Sequence, residues 1–327
     1  MKIWRVHAWG EPSEQLRIDE IDAPTAGAGQ VVIALESVGL NFPGLLQIRG
    51  QYQVKPPLPY SPGGESAGRI VGVGEGVTTH AVGDRVVTTS GGLAERVAVN
   101  AASAFPLPDS LSTAKAAALP VNYGTGWFAL HDRARVQAGE TVLVHAGAGG
   151  AGSAAVQLAQ AMGARVIATA GGPTKKAVLT DQLRVDVAID YLNEDFVEVV
   201  KAATDGQGVD VIYDPVGGDT FDRSRKVIAW DGRILIIGFT GGRIADAPTN
   251  HVLLKNYSIV GVHWGASLAR DPNASRNTYD KLIEFWNAGK IDPLVMREVP
   301  FADVPAAFDA LASRESWGKL VITMNSG

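Results

Sequence analysis

The chain has 327 residues, with 29 Lys and Arg against 34 Asp and Glu for a net charge of −5, and it contains no cysteine. The length suits two domains. The acidic balance, with no run of Lys or Arg beyond two, excludes a sequence-independent grip on nucleic acid, and the missing cysteines exclude disulfides, thiolate metal ligands and a cysteine nucleophile.

No apolar stretch approaches the ~20 residues of a spanning helix, and the first residues carry no apolar signal core, so a soluble, cytoplasmic protein with no membrane partner is expected. Residues 1 to about 110 read as β-rich, with strands at 2–8, 16–21, 30–38, 69–73, 85–89 and 94–99, several alternating apolar and polar side chains. Gly and Pro pairs at 56–57, 62–64 and 91–92 mark loops between them. One short helix is predicted at 43–49, followed by a loop long enough to border a site. Inside that loop, Gly64, Ser66 and Gly68 match the GxSxG nucleophile elbow. The elbow needs a helix after its serine, whereas 69–73 continues as a β-branched strand, so a serine hydrolase is set aside. From residue 112 an alanine-rich helix, broken by Pro120 and continued past Gly124, bridges to the next domain.

The centre of the chain is 141–176. A β-branched strand at 141–145 runs into Gly147, Gly149 and Gly152, which fit GxGxxG, with Gly150 inside the same loop. The first glycine permits the tight turn, the second admits a pyrophosphate, and the third lets helix and strand pack. Small and apolar residues from Ser153 continue at helical spacing, and a second strand at 165–170 completes a βαβ unit. The free N–H groups opening that helix face an anion. An NAD site usually carries an acid about 20 residues beyond the glycines to hold the ribose 2′-hydroxyl. Here 141–180 holds no carboxylate, while Lys175 and Lys176 follow Gly171 and Gly172, which favours the 2′-phosphate of NADPH over the alternative of two solvated lysines.

Strands and helices then alternate: 187–190, a helix at 194–203, 209–213, a helix at 221–230, 233–237 and 258–263. This is the pattern of a doubly wound, mostly parallel α/β sheet, which places the turns at 214–218 and 238–241, with Gly238 and Phe239, along a cofactor crevice. Helices at 274–287 and 304–312 and a strand at 319–324 read as a return to the first domain. The expected division is therefore 1–120, 121–264 and 265–327, with substrate in the cleft between the domains.

Across nearly its whole length the chain resembles the zinc-independent quinone oxidoreductases of the medium-chain dehydrogenase/reductase superfamily, the zeta-crystallin branch. The residues that carry this are NFPGLLQIRGQYQ at 41–53, PGGESAG at 62–68, VGEGV at 73–77, VGDRV at 82–86, AALPVNYGT at 117–125, the AxxGGxG loop at 146–152 and DPVGG at 214–218. The resemblance implies a Rossmann domain inserted in a GroES-like catalytic domain, and a homodimer paired along the Rossmann sheet edge. It puts Asn41 and Tyr52 at the substrate pocket, Thr125 near the nicotinamide, and Lys175 and Tyr191 on the 2′-phosphate. Tyr191 also follows the strand at 187–190, where a hydroxyl could reach that phosphate; Asn41 also stands where it could simply cap the next helix, and Tyr52 where it could pack the loop.

Zinc-dependent relatives carry a cysteine near position 40 and a histidine where Gly64 stands. Both are absent, and His7, His80, His131, His145, His251 and His263 show no ligand spacing, so no metal is expected. The implied activity is hydride transfer from NADPH to a quinone or an α,β-unsaturated carbonyl, with Asn41, Tyr52 or a backbone N–H stabilising the growing charge on oxygen and Tyr52 as acid for an enone. Gly44 and Asn122 replace the family's common Asp and Thr and bear on substrate choice. Two alternatives stand beside this: an enoyl-CoA reductase, with Arg49 and Lys55 at a basic entrance, and a non-catalytic NADPH-binding protein.

Overall fold

The computed structural model describes residues 1–271 and 273–324. It divides into two units, one formed by Met1–Val121 together with the chain from Pro293 onward, the other by Asn122–Asp292.

The first unit is built around its longest strand. β1 (Lys2–Val6) and β2 (Leu16–Glu20) form an antiparallel pair, and β3 (Gln30–Gly39), ten largely buried residues of sequence QVVIALESVG, lies at the centre of the main sheet. β3 pairs antiparallel with β4 (Ser66–Val73) and with β6 (Arg96–Asn100), while β5 (Arg85–Thr88) joins β4 to β7 (Ala104–Pro106). A strand with neighbours on both sides and side chains packed on both faces must be apolar nearly throughout, which is why β3 reads as a run rather than an alternation. Val31, Ile33, Leu35 and Val38 meet Leu45 and Ile48 of the helix Phe42–Ile48 in one cluster. Each such side chain contributes roughly 1.5–3 kcal/mol on burial. β4 begins three residues before its predicted start and takes in Ser66 and Gly68, so the GxSxG match lies in a strand rather than on an elbow.

The bridging segment is two helices. Thr113–Ala116 is capped by Ser112, whose Oγ accepts from Lys115 N at 3.3 Å; after Pro120, Asn122–Trp127 restarts and widens into a π-turn at Phe128–Arg133.

The second unit is a six-stranded parallel sheet: β8 (Thr141–Val144), β9 (Arg165–Ala170), β10 (Val187–Asp190), β11 (Val209–Asp214), β12 (Ile228–Ile236) and β13 (Ser258–Gly261), in the order β10-β9-β8-β11-β12-β13. The order reverses between β8 and β11, the switch point at which such sheets bind ligands beyond the strands' carboxyl ends. Leu143, Ile167, Ile189, Ile212 and Ile234 pack with Phe196, Val200 and Phe221 as its core.

Two expectations change here. The helix predicted at 221–230 is Gly218–Ser224, and β12 already starts at Ile228, with Trp230 in the strand. The cause is a bulge: Val209 pairs with Ile228 but Val211 with Arg233, and the intervening Asp231 takes a left-handed φ of 62°. The return to the first unit falls at Pro293 rather than at 265. The amphipathic helix Ala274–Asn287 therefore stays with the second unit, where Phe285 meets Trp127 edge-on at 5.5 Å between ring centroids. β14 (Val295–Pro300), the helix Val304–Ala312 and β15 (Lys319–Thr323) return, β15 pairing antiparallel with β3. The indole N–H of Trp4 donates to the Phe301 carbonyl at 2.7 Å and ties the two segments of the first unit together.

Candidate functional site

The glycine loop between β8 and the helix Gly150–Ala161 has no room for a side chain at Gly147 or Gly152. Ala146 turns with φ 50°, a Cβ on Gly147 would stand 2.8 Å from that of Ala168, and a Cβ on Gly152 would run into the Ala146 carbonyl oxygen. Gly149 is the extended N-cap and Gly150 the first helical residue. The N–H groups of the first helical turn have no carbonyl partner within the helix by construction, so the loop presents donors and the positive end of twelve residues' dipole.

Beside it, the ends of β9 and β10 lie in register, Ala170 opposite Asp190. Gly172, with φ 84°, opens the short helix Pro173–Ala177 that carries Lys175. Its N–H donates to Asp190 Oδ1 at 2.7 Å, and Asp190 Oδ2 accepts from Asn193 Nδ2 at 2.7 Å. These bonds hold the Asp190 carboxyl below the usual carboxylate range, the Asn193 amide first. Tyr191 is half exposed, and its hydroxyl lies so close over Gly171 that a Cβ there would be 2.6 Å away. Gly172, Lys175 and Tyr191 are thus brought to one end of the sheet. The neighbouring Lys176 is engaged: its ammonium donates to Glu194 Oε2 at 2.7 Å and holds that carboxyl below its ordinary value.

Under the loop sits His145, 2% exposed. Ser224 Oγ donates to the Thr220 carbonyl at 2.7 Å, so the histidine's Nε2–H donates to Ser224 Oγ at 2.8 Å and its Nδ1 accepts from the Thr169 hydroxyl at 3.1 Å. Burial, with Arg223 acting the same way against the opposing pull of Asp214, pushes its pKa down to about 4. On the other side of the switch point, Asp214 Oδ1 accepts from Val216 N and Gly217 N at 2.8 and 2.9 Å. Gly238 and Phe239 follow β12 and line, with Asp214 and Gly217, a small apolar cavity of about 180 Å³. Thr125 lies half-buried in the helix Asn122–Trp127, three residues from the buried Asn122.

In the first unit Asn41 stands at the N-cap of Phe42–Ile48 with φ −128° and ψ 147°, yet its side chain makes no capping bond. Its Nδ2 donates to Glu65 Oε1 at 2.8 Å and its Oδ1 accepts from Lys319 Nζ at 2.6 Å. Lys319 also pairs with Glu65 Oε1, and Glu65 Oε2 accepts from Val121 N at 2.8 Å. The capping alternative for Asn41 is therefore replaced by a buried polar cluster that includes two residues the sequence analysis did not select. Tyr52 is outside this cluster, half-buried in the loop that follows the helix. A Cβ on Gly44 would meet only the Phe308 ring, at 3.7 Å, so the missing aspartate leaves ordinary space.

Residues 27–109 match the model of the alcohol dehydrogenase GroES-like domain and residues 150–287 that of the zinc-binding dehydrogenases. A quinone oxidoreductase-like protein 2 homolog of Nematostella vectensis is 40% identical over 309 residues, 93% of this chain and 84% of its own length. The chain belongs to the quinone oxidoreductase-like proteins of the medium-chain dehydrogenase/reductase superfamily. Solved structures agree with it. Escherichia coli quinone oxidoreductase complexed with NADPH matches with a TM-score of 0.89 at 26% identity, over 99% of this chain and 100% of that one. The CurK enoyl reductase matches with a TM-score of 0.89 at 29% identity, over 99% of each chain.

For a quinone oxidoreductase-like chain, the sequence signal that exposes Glu65 and Lys319 is weak. Glu65 sits between the glycines of a loop and Lys319 opens the last strand, 254 positions away, so only the folded sheet joins them. The glycine loop, in contrast, is one continuous stretch.

Proposed function

We propose that the chain is an NADPH-dependent, metal-free oxidoreductase of small electrophiles, in which the bound nicotinamide supplies a hydride to a quinone or an α,β-unsaturated carbonyl. The observation that carries the cofactor half is the glycine loop: no side chain fits at Gly152, the N–H groups of Gly147 and Gly149 bond within the fold to the Thr169 and Ala146 carbonyls, and those of the helix's first turn, from Gly150, are left as donors for a pyrophosphate. Gly172, Lys175 and Tyr191 at the ends of β9 and β10 suit a 2′-phosphate, and the Escherichia coli relative was solved with NADPH. Thr125, Gly238 and Phe239 are assigned to the nicotinamide end. The metal-free reading is supported by the donor set: there is no cysteine, and no group of three or more His, Asp or Glu among the described residues could hold a metal ion.

Asn41 and Tyr52 are assigned to the acceptor oxygen. As the hydride arrives, negative charge grows there, and donors already held in place stabilise it without reorganising. A quinone needs no further acid because the hydroquinone anion takes its proton from water, whereas for an enone Tyr52 serves as the donor.

The enoyl-thioester reading has one observation in its favour, the likeness to an enoyl reductase. Against a basic entrance for CoA phosphates, Arg49 is engaged by Glu11, its Nε and Nη2 donating at 3.1 and 2.7 Å. The deciding experiment follows NADPH oxidation with a p-quinone, an alkyl enone and a short enoyl-CoA at matched concentrations. The quinone or enone is expected to be preferred; preference for the thioester would move the function to acyl-CoA metabolism.

A further inference from the structure

The Asn41–Glu65–Lys319 cluster is unusual in what it buries. The side chains of Lys319 and Glu65 are 3% and 0% exposed, while Asn41 is half-buried and so still reaches the unit's surface. A buried ion pair is a weak source of stability, since the desolvation of both ions offsets their attraction and an apolar pair of the same volume often does as well. Burial indeed holds the Lys319 amine below the usual lysine range against the opposing pull of Glu65. The pair's structural use is better sought in what it does to its third member.

An asparagine carboxamide can be rotated by half a turn with little change of shape, and only its hydrogen bonds decide which end is oxygen. Here both neighbours are one-way groups. An ammonium only donates and an ionised carboxylate only accepts, so Oδ1 must face Lys319 and Nδ2 must face Glu65, as observed at 2.6 and 2.8 Å. One of the two Nδ2 protons is used on Glu65; the second remains. A cation bonded to Oδ1 draws electron density through the amide and makes that remaining N–H a stronger donor.

We propose that Lys319 and Glu65 are positioning residues that fix the orientation of the Asn41 carboxamide and polarise it, so that its second Nδ2–H is presented to the acceptor oxygen. This rests on the reading of Asn41 as a donor to that oxygen. Three segments supply the device, the end of β3 leading into Asn41, the residue before β4, and the first residue of β15. It gives a role to a charged pair that is buried in the fold.

The test is a double-mutant cycle in the full chain, comparing Asn41→Ala in the parent with Asn41→Ala in Lys319→Met/Glu65→Gln, which removes both charges together and strands neither. Asn41→Ala is expected to lower kcat/KM for the preferred acceptor by about a hundredfold in the parent, the scale of one lost oxyanion donor. In the paired variant the same substitution is expected to cost less than about threefold, because the carboxamide is no longer held. The paired variant itself loses kcat while its NADPH dissociation constant stays unchanged, a split that a general loosening of the fold does not produce. If Asn41→Ala costs the same factor in both backgrounds, the positioning role is overturned and the acceptor reading survives. If it costs nothing in the parent with any acceptor, the acceptor reading falls and the positioning role with it. Should the Met/Gln pair not fold, Lys319→Gln/Glu65→Gln keeps hydrogen bonds without dictating the flip, and the same comparison decides.

Discussion

His145 shows how a single side chain links sequence to stability. It follows β8 directly and is buried, bonded on both ring nitrogens by Thr169 and Ser224, and burial keeps it neutral with a pKa of about 4. Its folded pKa lies below the unfolded value of about 6.5, so in the window between them the unfolded chain binds more protons. Stability therefore rises with pH from about 4 to about 6.5 and is lost as pH falls through that window, by about 3 kcal/mol in total for this one group. Urea unfolding at pH 7 and pH 5 is expected to show the decline, and His145→Gln is expected to flatten it. Lys175 and Tyr191 carry the second residue-level expectation. Lys175→Ala is expected to raise KM for NADPH by about ten-fold to several hundred-fold while leaving KM for NADH unchanged, and Tyr191→Phe by up to about ten-fold. Equal changes for both cofactors would remove the 2′-phosphate from these side chains. The turn that needs glycine was legible because it is local, as at Gly147 and Gly152, where a Cβ has no room. Residue choice was not legible for Lys176, whose partner Glu194 lies 18 positions on, nor for Glu65 and Lys319, which only the sheet unites.

Elements were legible where one period dominates. β8, the helix after it and β9 follow from an apolar run, a glycine loop and helical spacing, and the helix Ala274–Asn287 has the bounds its amphipathic pattern gives. The segment 221–236 was not, because Phe221 and Ile228 stand seven apart, as two turns of a helix would place them, and the left-handed Asp231 that separates the two parts of β12 leaves only an Asp-Gly pair as its sign. At the glycine helix, Gly152→Ala is expected to force the helix away from the Ala146 carbonyl. The cost is about 1–3 kcal/mol of overpacking strain. Thermal unfolding and NADPH titration are expected to show a lowered Tm together with weakened NADPH binding; a lowered Tm with unchanged affinity would mean that the loop does not hold the pyrophosphate.

At the scale of the molecule, no helix among the described residues is long and apolar enough to cross a membrane. β13 is one of the two edge strands of the parallel sheet, and Trp230 of the neighbouring β12 with Leu253 and Leu254 of the helix before β13 are 70%, 79% and 71% exposed. An edge with apolar neighbours suits pairing with a second copy, and the homodimer implied by the family resemblance would cover both. Sedimentation is expected to give a species of twice the chain mass, and Leu253→Glu/Leu254→Glu to return it to the monomer. A parent chain that sediments as a monomer would contradict the pairing. The division into two units was legible in the change from β-rich to alternating sequence, but not its second boundary, because the helix Ala274–Asn287 carries no mark of the unit it packs on. The claim on which the rest depends is hydride transfer from NADPH. It is tested most directly by acceptor-dependent oxidation of NADPH carrying deuterium at C4, with a p-quinone and an enone as acceptors. The account predicts turnover that slows with the deuterated cofactor and deuterium recovered at the enone's β-carbon. Tight NADPH binding with no oxidation by either acceptor would contradict it and leave a binding protein in its place.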